Sequence, residues 1–323
     1  MTGKSITQFW LPSEDNPADD PSRFKEIRAP VIGEEGPSGL LLPERTPSAS
    51  STKGPHRQGI LFREVFSGCG RLSKAMLEAG LGVDDPMEAY PSRGVYVKAA
   101  DLTRPAVVKE LLRRIRAGCY VYMHFGMLCS SFSIMQMMNN GTRRSDRPEG
   151  DGTRESEEIG NVLAKAVAML CEALQEVGAS FSIENPQSSL LWKFSPFAAL
   201  MRFSFDVDLD QCMYQLLPPH LSLSENTFIR KSTRLRTNLH CLSNLPFRCD
   251  RQHHHFHCLG KVKAGGAAVS VAQFAGRYPA PLCKAWASLV GASLRDKRPA
   301  GPDSPRAGAL SSFRPRPRGS CPA

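Results

Sequence analysis

The chain has 323 residues, 41% of them hydrophobic, with ten cysteines and a formal net charge of +10 at pH 7. That length holds two average domains, or one α/β domain with appendages, and the positive balance fits a polyanionic partner. No long apolar segment opens the chain and no run of 18 apolar residues occurs, which speaks against a secreted or membrane-spanning protein.

The expectation is an intracellular protein, nuclear if eukaryotic, whose cysteines serve thiol chemistry or metal binding before disulfides. Residues 1–57 are rich in Pro, Ser, Gly, Glu and Asp and read as disordered. Within them, Ser5-Ile6-Thr7-Gln8-Phe9-Trp10 sets an aliphatic residue three positions before two adjacent aromatics. That spacing resembles the sliding-clamp-binding peptide, and it implies docking through Ile6, Phe9 and Trp10. Gly3 stands where that peptide carries Gln, and scattered apolar residues in a tail give the same pattern.

Ordered structure is predicted from about residue 58. Ile60-Leu61-Phe62 and Val65 form a β-rich run, Phe66-Ser67-Gly68-Cys69-Gly70 a tight turn, and Leu72, Ala75, Met76 and Ala79 one helical face capped by Gly80. Gly68 and Gly70 let the backbone turn sharply and approach a ligand, whose polar groups meet the N–H groups of the next helix. Glu88 follows Gly68 by twenty residues, the offset at which a nucleotide-type fold sets a carboxylate on ribose hydroxyls. An ordinary βα turn contains the same Gly-x-Gly.

Gly94-Val95-Tyr96-Val97-Lys98 reads as a short strand ending at Asp101-Leu102. A helix starts at Pro105, with Val107, Val108, Leu111, Leu112 and Ile115 on one face. The run Cys119 to Phe125 is a strand that delivers Gly126-Met127-Leu128-Cys129-Ser130-Ser131-Phe132-Ser133 to its carboxyl end. After a polar loop from Gly141 to Glu158, Ile159, Val162, Leu163, Ala166, Val167, Leu170, Leu174 and Val177 make one stripe, ended by Gly178. Ser180 to Ile183 is a strand carrying Glu184-Asn185-Pro186. This order predicts a doubly wound, Rossmann-like, largely parallel α/β sheet with a ligand crevice along its carboxyl edge. The domain reading is a disordered segment 1–57, a core 58–236, a small Cys/His-containing lobe with a closing helix 237–294, and a disordered basic tail 295–323.

Taken together these stretches resemble the cytosine-5 DNA methyltransferases, as a divergent branch of the kind carried by mobile elements. Phe66-Ser67-Gly68-Cys69-Gly70 with Leu72 is similar to that family's S-adenosylmethionine loop, and Glu88, Asp101 and Leu102 fall where the family contacts ribose and adenine. Cys129-Ser130-Ser131-Phe132-Ser133 resembles the nucleophile motif, Glu184-Asn185-Pro186 the Glu-Asn-Val motif, and Thr233-Arg234-Leu235-Arg236 the arginine loop. Met127 and Leu128 stand in place of two prolines, and the family's carboxyl-terminal Gly-Asn stretch is missing.

The resemblance implies methyl transfer from S-adenosylmethionine to C5 of cytosine in DNA, the base flipped out of the duplex, by a monomer that does not touch membranes. C5 is a poor nucleophile until a thiolate adds at C6, and cysteine is both a strong nucleophile and a competent leaving group. Cys129 would add, Glu184 would bind N3 and the exocyclic amine, and Arg234 and Arg236 would position Glu184 or hold phosphate. The Ser133–Glu158 loop would close over the base. The alternative is a degenerate member of the fold that binds nucleic acid or cofactor only.

Cys241, Cys249, His253, His254, His255, His257 and Cys258 crowd into one short stretch. Strand-like alternation sets His253, His255 and His257 on one side. The crowding and the alternation suggest a structural zinc held by Cys249 and two of these histidines with Cys241, that is by Cys241, Cys249, His255 and His257. No standard finger spacing is present, and His-rich loops also exist without metal.

Overall fold

The computed structural model describes residues 61–91, 95–127, 130–245, 247–258, 260–264 and 267–296. Ile6, Phe9 and Trp10 of the clamp-like peptide, Leu128, Cys129 and the basic tail lie outside the described residues. The strands are β1 (Leu61–Val65), β2 (Gly82–Val83), β3 (Tyr120–Gly126), β4 (Ser180–Pro186), β5 (Phe205–Asp210), β6 (Thr227–Ile229), β7 (Ser232–Thr237), β8 (His254–Phe256), β9 (Lys261–Ala264) and β10 (Ala267–Ser270). The helices are α1 (Arg71–Glu78), α2 (Pro105–Arg116), α3 (Glu155–Glu176), α4 (Ser195–Ala199), α5 (Val271–Phe274) and α6 (Ala280–Asp296).

Six strands make one sheet in the order β2-β1-β3-β4-β7-β5. β2, β1, β3 and β4 run parallel, and β7 is antiparallel to both its neighbours. Strand alternation sends Phe62, Tyr122, Leu235 and Val207 to one face, where they pack with Leu72 and Met76 of α1 and Leu282, Trp286 and Val290 of α6. Val65, Met123, Phe125, Phe181 and Ile183 go to the other face, against Leu111 and Ile115 of α2 and Leu163, Val167, Leu170 and Leu174 of α3. The result is a mixed, mostly parallel α/β sheet with helices on both faces, a Rossmann-like architecture. Its strand order reverses at the β1/β3 border, and in open α/β sheets ligands bind beyond the carboxyl ends of the strands at such a reversal.

Several expectations are corrected. No strand forms over residues 95–97; Val97 N–H bonds to the Ala89 carbonyl and Lys98–Ala100 is a 3₁₀ turn. A strand needs an open edge of matching length, and β2 at this edge is two residues long. α3 begins at Glu155, four residues before its first apolar position, because Glu155, Glu157 and Glu158 suit the positive end of the helix. Val162 and Val177 of its stripe are exposed. β5 and β7 pair through opposite charges, Asp206 beside Arg236 and Asp208 beside Arg234, with Val207 and Leu235 inward between them.

Beyond the sheet, β6 pairs with β8 and β9 with β10 in a small lobe that draws on residues from both sides of position 236. α6 belongs with the sheet, packed against α1. Among the described residues no helix is long and apolar enough to cross a membrane.

Candidate active site

The turn after β1 is built from left-handed backbone. Phe66, Gly68 and Gly70 have φ of 57°, 54° and 65°. A Cβ on Gly68 would meet nothing within 4 Å, so glycine is demanded there by conformation, and the space beside the turn is open. Glu88 fastens the turn: Oε2 accepts the Gly68 N–H at 2.8 Å and Oε1 the Tyr90 N–H at 3.1 Å. Behind the turn, buried Glu64 accepts from the Ser73 N–H at 2.8 Å and hydroxyl at 2.6 Å, capping α1 from within the sheet. Burial raises its pKa to about 7, against the pull of the Ser73 bonds.

The other expected cofactor residues divide. Phe66, Ser67, Gly68, Gly70 and Glu88 line the turn. The side chains of Leu72 and Leu102 are core, 0% and 1% exposed, so only their backbone can face a ligand. Asp101 is buried and satisfied locally by Thr103 N–H and hydroxyl and by the Tyr96 hydroxyl.

At the end of β3, Gly126 sits in a tight cradle: a Cβ there would lie 3.0 Å from both the Phe66 carbonyl and the Tyr278 hydroxyl. The next residue, Met127, is pinned by its carbonyl, which accepts from Asn185 Nδ2 at 2.9 Å. On the far side of Cys129, Ser131 Oγ accepts from Arg143 Nη2 at 2.8 Å. Arg143 is 1% exposed, lies 3.7 Å from the Phe132 ring centre, and also donates to Asn161 Oδ1 and the Glu157 and Pro148 carbonyls. Burial lowers its pKa to about 10, so it stays charged at neutral pH. Its anchoring corrects the expected lid. Thr142 bonds to Glu157, Asp151 to Thr142 and Arg154 to the Asn140 carbonyl, so this part of the 133–158 loop is tied onto α3.

Glu184 lies in the carboxyl half of β4, 6% exposed. Its Oε2 accepts from the Tyr278 hydroxyl at 3.3 Å. Its Oε1 lies 3.3 Å from Lys231 Nζ, an ion pair whose alignment makes no hydrogen bond, and it has no other partner among the described residues. Behind Tyr278 runs a buried chain of polar groups, and with the one Tyr278 proton given to Glu184 every bond in it has a single consistent direction. Trp286 Nε1 can only donate, to Tyr122 OH at 2.9 Å. Tyr122 then donates to Ser182 at 2.6 Å, Ser182 to His124 Nδ1 at 2.8 Å, and His124 Nε2–H to Tyr278 at 3.0 Å. Neutral imidazole is required to accept at one nitrogen and donate at the other. Burial supplies it, lowering the His124 pKa to about 3. The chain so directed accords with the Tyr278 proton aimed at Glu184.

Arg234 and Arg236 do not reach Glu184, which is a correction. Leu235 is the cross-strand neighbour of Glu184, so the arginines on either side of it point through the other face of the sheet. There Arg234 grips Asp208 at 2.8 and 3.0 Å, and Arg236 grips Asp206 at 2.8 and 2.9 Å. Both guanidinium groups lie near the Trp192 ring. The cation beside Glu184 is Lys231, which no sequence signal marked.

The metal set also changes. The donors that converge are Cys212, Cys249, His253 and His255. Cys241 packs against the sheet core instead, and exposed His257 falls beyond the end of β8, where alternation no longer holds it on the side of His255. Cys212 lies far from the Cys/His run in sequence and reaches it only because β5 and β7 are paired.

Fold and site together define a doubly wound α/β protein that carries a glycine turn after β1, a carboxylate beyond β2 that fastens it, and a second carboxylate on β4. No protein-family model matches the chain, and no curated protein matches it. Among solved structures it is similar to the S. pombe Dnmt2 methyltransferase, at 12% identity and a TM-score of 0.32, over 59% of this chain and 56% of that one. The chain thus spans little more than half the length of that structure, and a likeness this loose says nothing of activity or substrate.

Proposed function

We propose that this chain transfers a methyl group from S-adenosylmethionine to C5 of cytosine in DNA through a covalent adduct at Cys129. The observation that carries the reading is the placement on one side of the sheet of the Gly68–Glu88 turn and Glu184, linked through Gly126, where a Cβ would touch both the Phe66 carbonyl and the Tyr278 hydroxyl. Glu184 is buried, and its Oε1 has no hydrogen-bond donor among the described residues. The turn fits the cofactor: open space beside Gly68, backbone approach, and a carboxylate with lone pairs left for a diol. When bound, the sulfonium supplies an electrophilic methyl group.

On this reading the Cys129 thiolate forms a bond to C6 and makes C5 nucleophilic. After C5 takes the methyl group, loss of its proton and departure of the thiolate restore the ring double bond. Glu184 Oε1 accepts from the exocyclic amine and from the N3–H of the N3-protonated adduct, while Tyr278 holds Oε2 and Lys231 balances the charge. Asn185 and Arg143 hold the stretch on either side of Cys129 through Met127 and Ser131. A structural metal in the Cys/His group would have no part in methyl transfer. The binding-only reading is favoured by Met127-Leu128 before Cys129 and by two arginines already engaged by aspartates.

The test is a randomised pool of duplex and single-stranded DNA carrying 5-fluorocytosine, whose fluorine blocks the final elimination. A complex stable to denaturing electrophoresis, dependent on S-adenosylmethionine and lost in Cys129→Ala, is the expected result. Glu184→Gln slows trapping with cofactor affinity nearly unchanged. A protein that binds cofactor and DNA yet never traps is the binding relic. Calorimetry that finds no binding of S-adenosylmethionine or S-adenosylhomocysteine ends the methyltransferase reading.

A further inference from the structure

We infer that Cys212, Cys249, His253 and His255 bind one zinc ion, which fastens the small lobe to the sheet. The four donor atoms all lie within 4.8 Å of one another. Cys249 Sγ is 3.3 Å from His255 Nε2 and 3.6 Å from His253 Nε2, and the two nitrogens are 3.0 Å apart. A tetrahedron with Zn–S of about 2.3 Å and Zn–N of about 2.05 Å has S···N edges of about 3.6 Å and an N···N edge of about 3.3 Å. The three edges among Cys249, His253 and His255 agree within about 0.3 Å with that geometry, and Cys212, within 4.8 Å of the others, would close on the ion by a small turn of its side chain. Two thiols and two imidazoles are the donors a structural zinc takes, and four protein donors leave no position for a reacting water.

The surroundings orient these donors. Asp250 lies on the Nδ1 side of His253, 3.8 Å away, which leaves Nε2 for the ion. Arg251, at φ 63°, folds its N–H back onto Cys249 Sγ at 3.4 Å, which holds the sulfur in place. Asp210, at the end of β5, accepts the Cys249 N–H at 2.9 Å and the Ser232 hydroxyl at 2.5 Å, anchoring the loop to the sheet.

The lobe has reason to need a staple. Its own buried apolar cluster is Leu216, Ile229, Val271 and Ala275, far less than an independent unit requires. The ligands come from the turn after β5, from the loop before β8 and from β8 itself, so one ion closes segments that the chain alone leaves loosely joined. Lys231 is carried between β6 and β7, and its carbonyl accepts the Gln211 N–H at 2.9 Å, next to Cys212. The metal would therefore also steady the lysine beside Glu184. The zinc assignment itself does not rest on the methyl-transfer reading.

The test is metal analysis of the full chain, purified without added metal and again after zinc addition. One zinc per chain is expected, with a lower Tm on chelation. Cys212→Ser and His253→Ala should each lose the ion, while Cys241→Ser and His257→Ala keep it. Should the ligand variants fail to fold, cobalt(II) substitution of the wild type decides, through thiolate charge-transfer absorption and the intense bands of a tetrahedral site. A protein that takes up no zinc, with Tm indifferent to chelator and to added zinc, overturns the inference. So do a cobalt form without thiolate bands and zinc whose retention depends on Cys241 in place of Cys212.

Discussion

Glu88 and Glu184 stand at the same edge of one sheet and are held in opposite ways. Glu88 is fixed by N–H groups of its own neighbourhood, those of Gly68 and Tyr90. Glu184 is held by Tyr278, 94 residues on, and by Lys231, with His124, Ser182, Tyr122 and Trp286 lined up behind. A carboxylate that shapes a turn needs only local backbone. One that must keep a free oxygen in a buried place needs partners from several elements, because a lone buried carboxylate would take up a proton. The turn should therefore tolerate damage elsewhere in the fold, and the Glu184 side should not.

The largest break should come from Arg143→Met. It leaves the Asn161, Ser131, Glu157 and Pro148 acceptors without their donor, and should cost about 3–5 kcal/mol in denaturant unfolding. Cofactor affinity of the folded fraction should stay within about threefold, since the β1 turn is built without Arg143. A loss below about 1 kcal/mol would show that Arg143 is not the plug of the 130–158 stretch.

Glu64 probes the turn side through pH. Its carboxyl is raised from 4.5 to about 7, so its contribution is full below about pH 4.5 and is lost as pH rises through about 7. Glu64→Gln keeps an acceptor for Ser73 without a charge to desolvate. The variant should gain on the wild type between pH 4.5 and 8, by on the order of 2–3 kcal/mol. His124, lowered to about 3, has the opposite slope: its contribution is present above about pH 6.5 and lost as pH falls toward 3. The wild-type profile mixes both, and the difference between variant and wild type isolates Glu64. A difference independent of pH would refute the buried ionising carboxyl.

Tyr278→Phe sharpens the comparison by removing one hydroxyl. It should cost about 1–2 kcal/mol of stability. It should also slow 5-fluorocytosine trapping about tenfold or more while leaving cofactor affinity unchanged, a split that a general packing defect would not produce. The smallest effect should be that of Arg234→Gln, a partly exposed pair worth about 1 kcal/mol or less, with trapping intact. Lys231→Met should slow trapping instead. If the two variants exchange these outcomes, the arginines act on the base after all.

Where a signal combined special backbone conformation with amphipathic period, the sequence was enough to read it, whereas the 95–97 stretch, whose strand needed a partner edge, was not legible. Gly68, Gly70 and Glu88 declare the β1 turn, Pro105 starts α2, and Gly178 follows the end of α3. Backbone conformation and amphipathic period are local properties, so each survives transfer into any fold. The alternations Asp206-Val207-Asp208 and Arg234-Leu235-Arg236 carried a readable signal too, a complementary charge ladder that marks β5 and β7 as partners. Once paired, their pleat sends both arginines away from Glu184, a consequence invisible while the arginines are read as a loop.

Tertiary structure alone decided what surrounds Glu184 and which cysteine joins the histidines. Tyr278, Lys231 and His124 have no motif between them, and Cys212 stands apart from the Cys/His run. Each is placed by which strand lies next to which and by which face it turns inward. That choice is made by burying two apolar faces of one sheet at once, a balance summed over the whole chain, so no short stretch of sequence contains it.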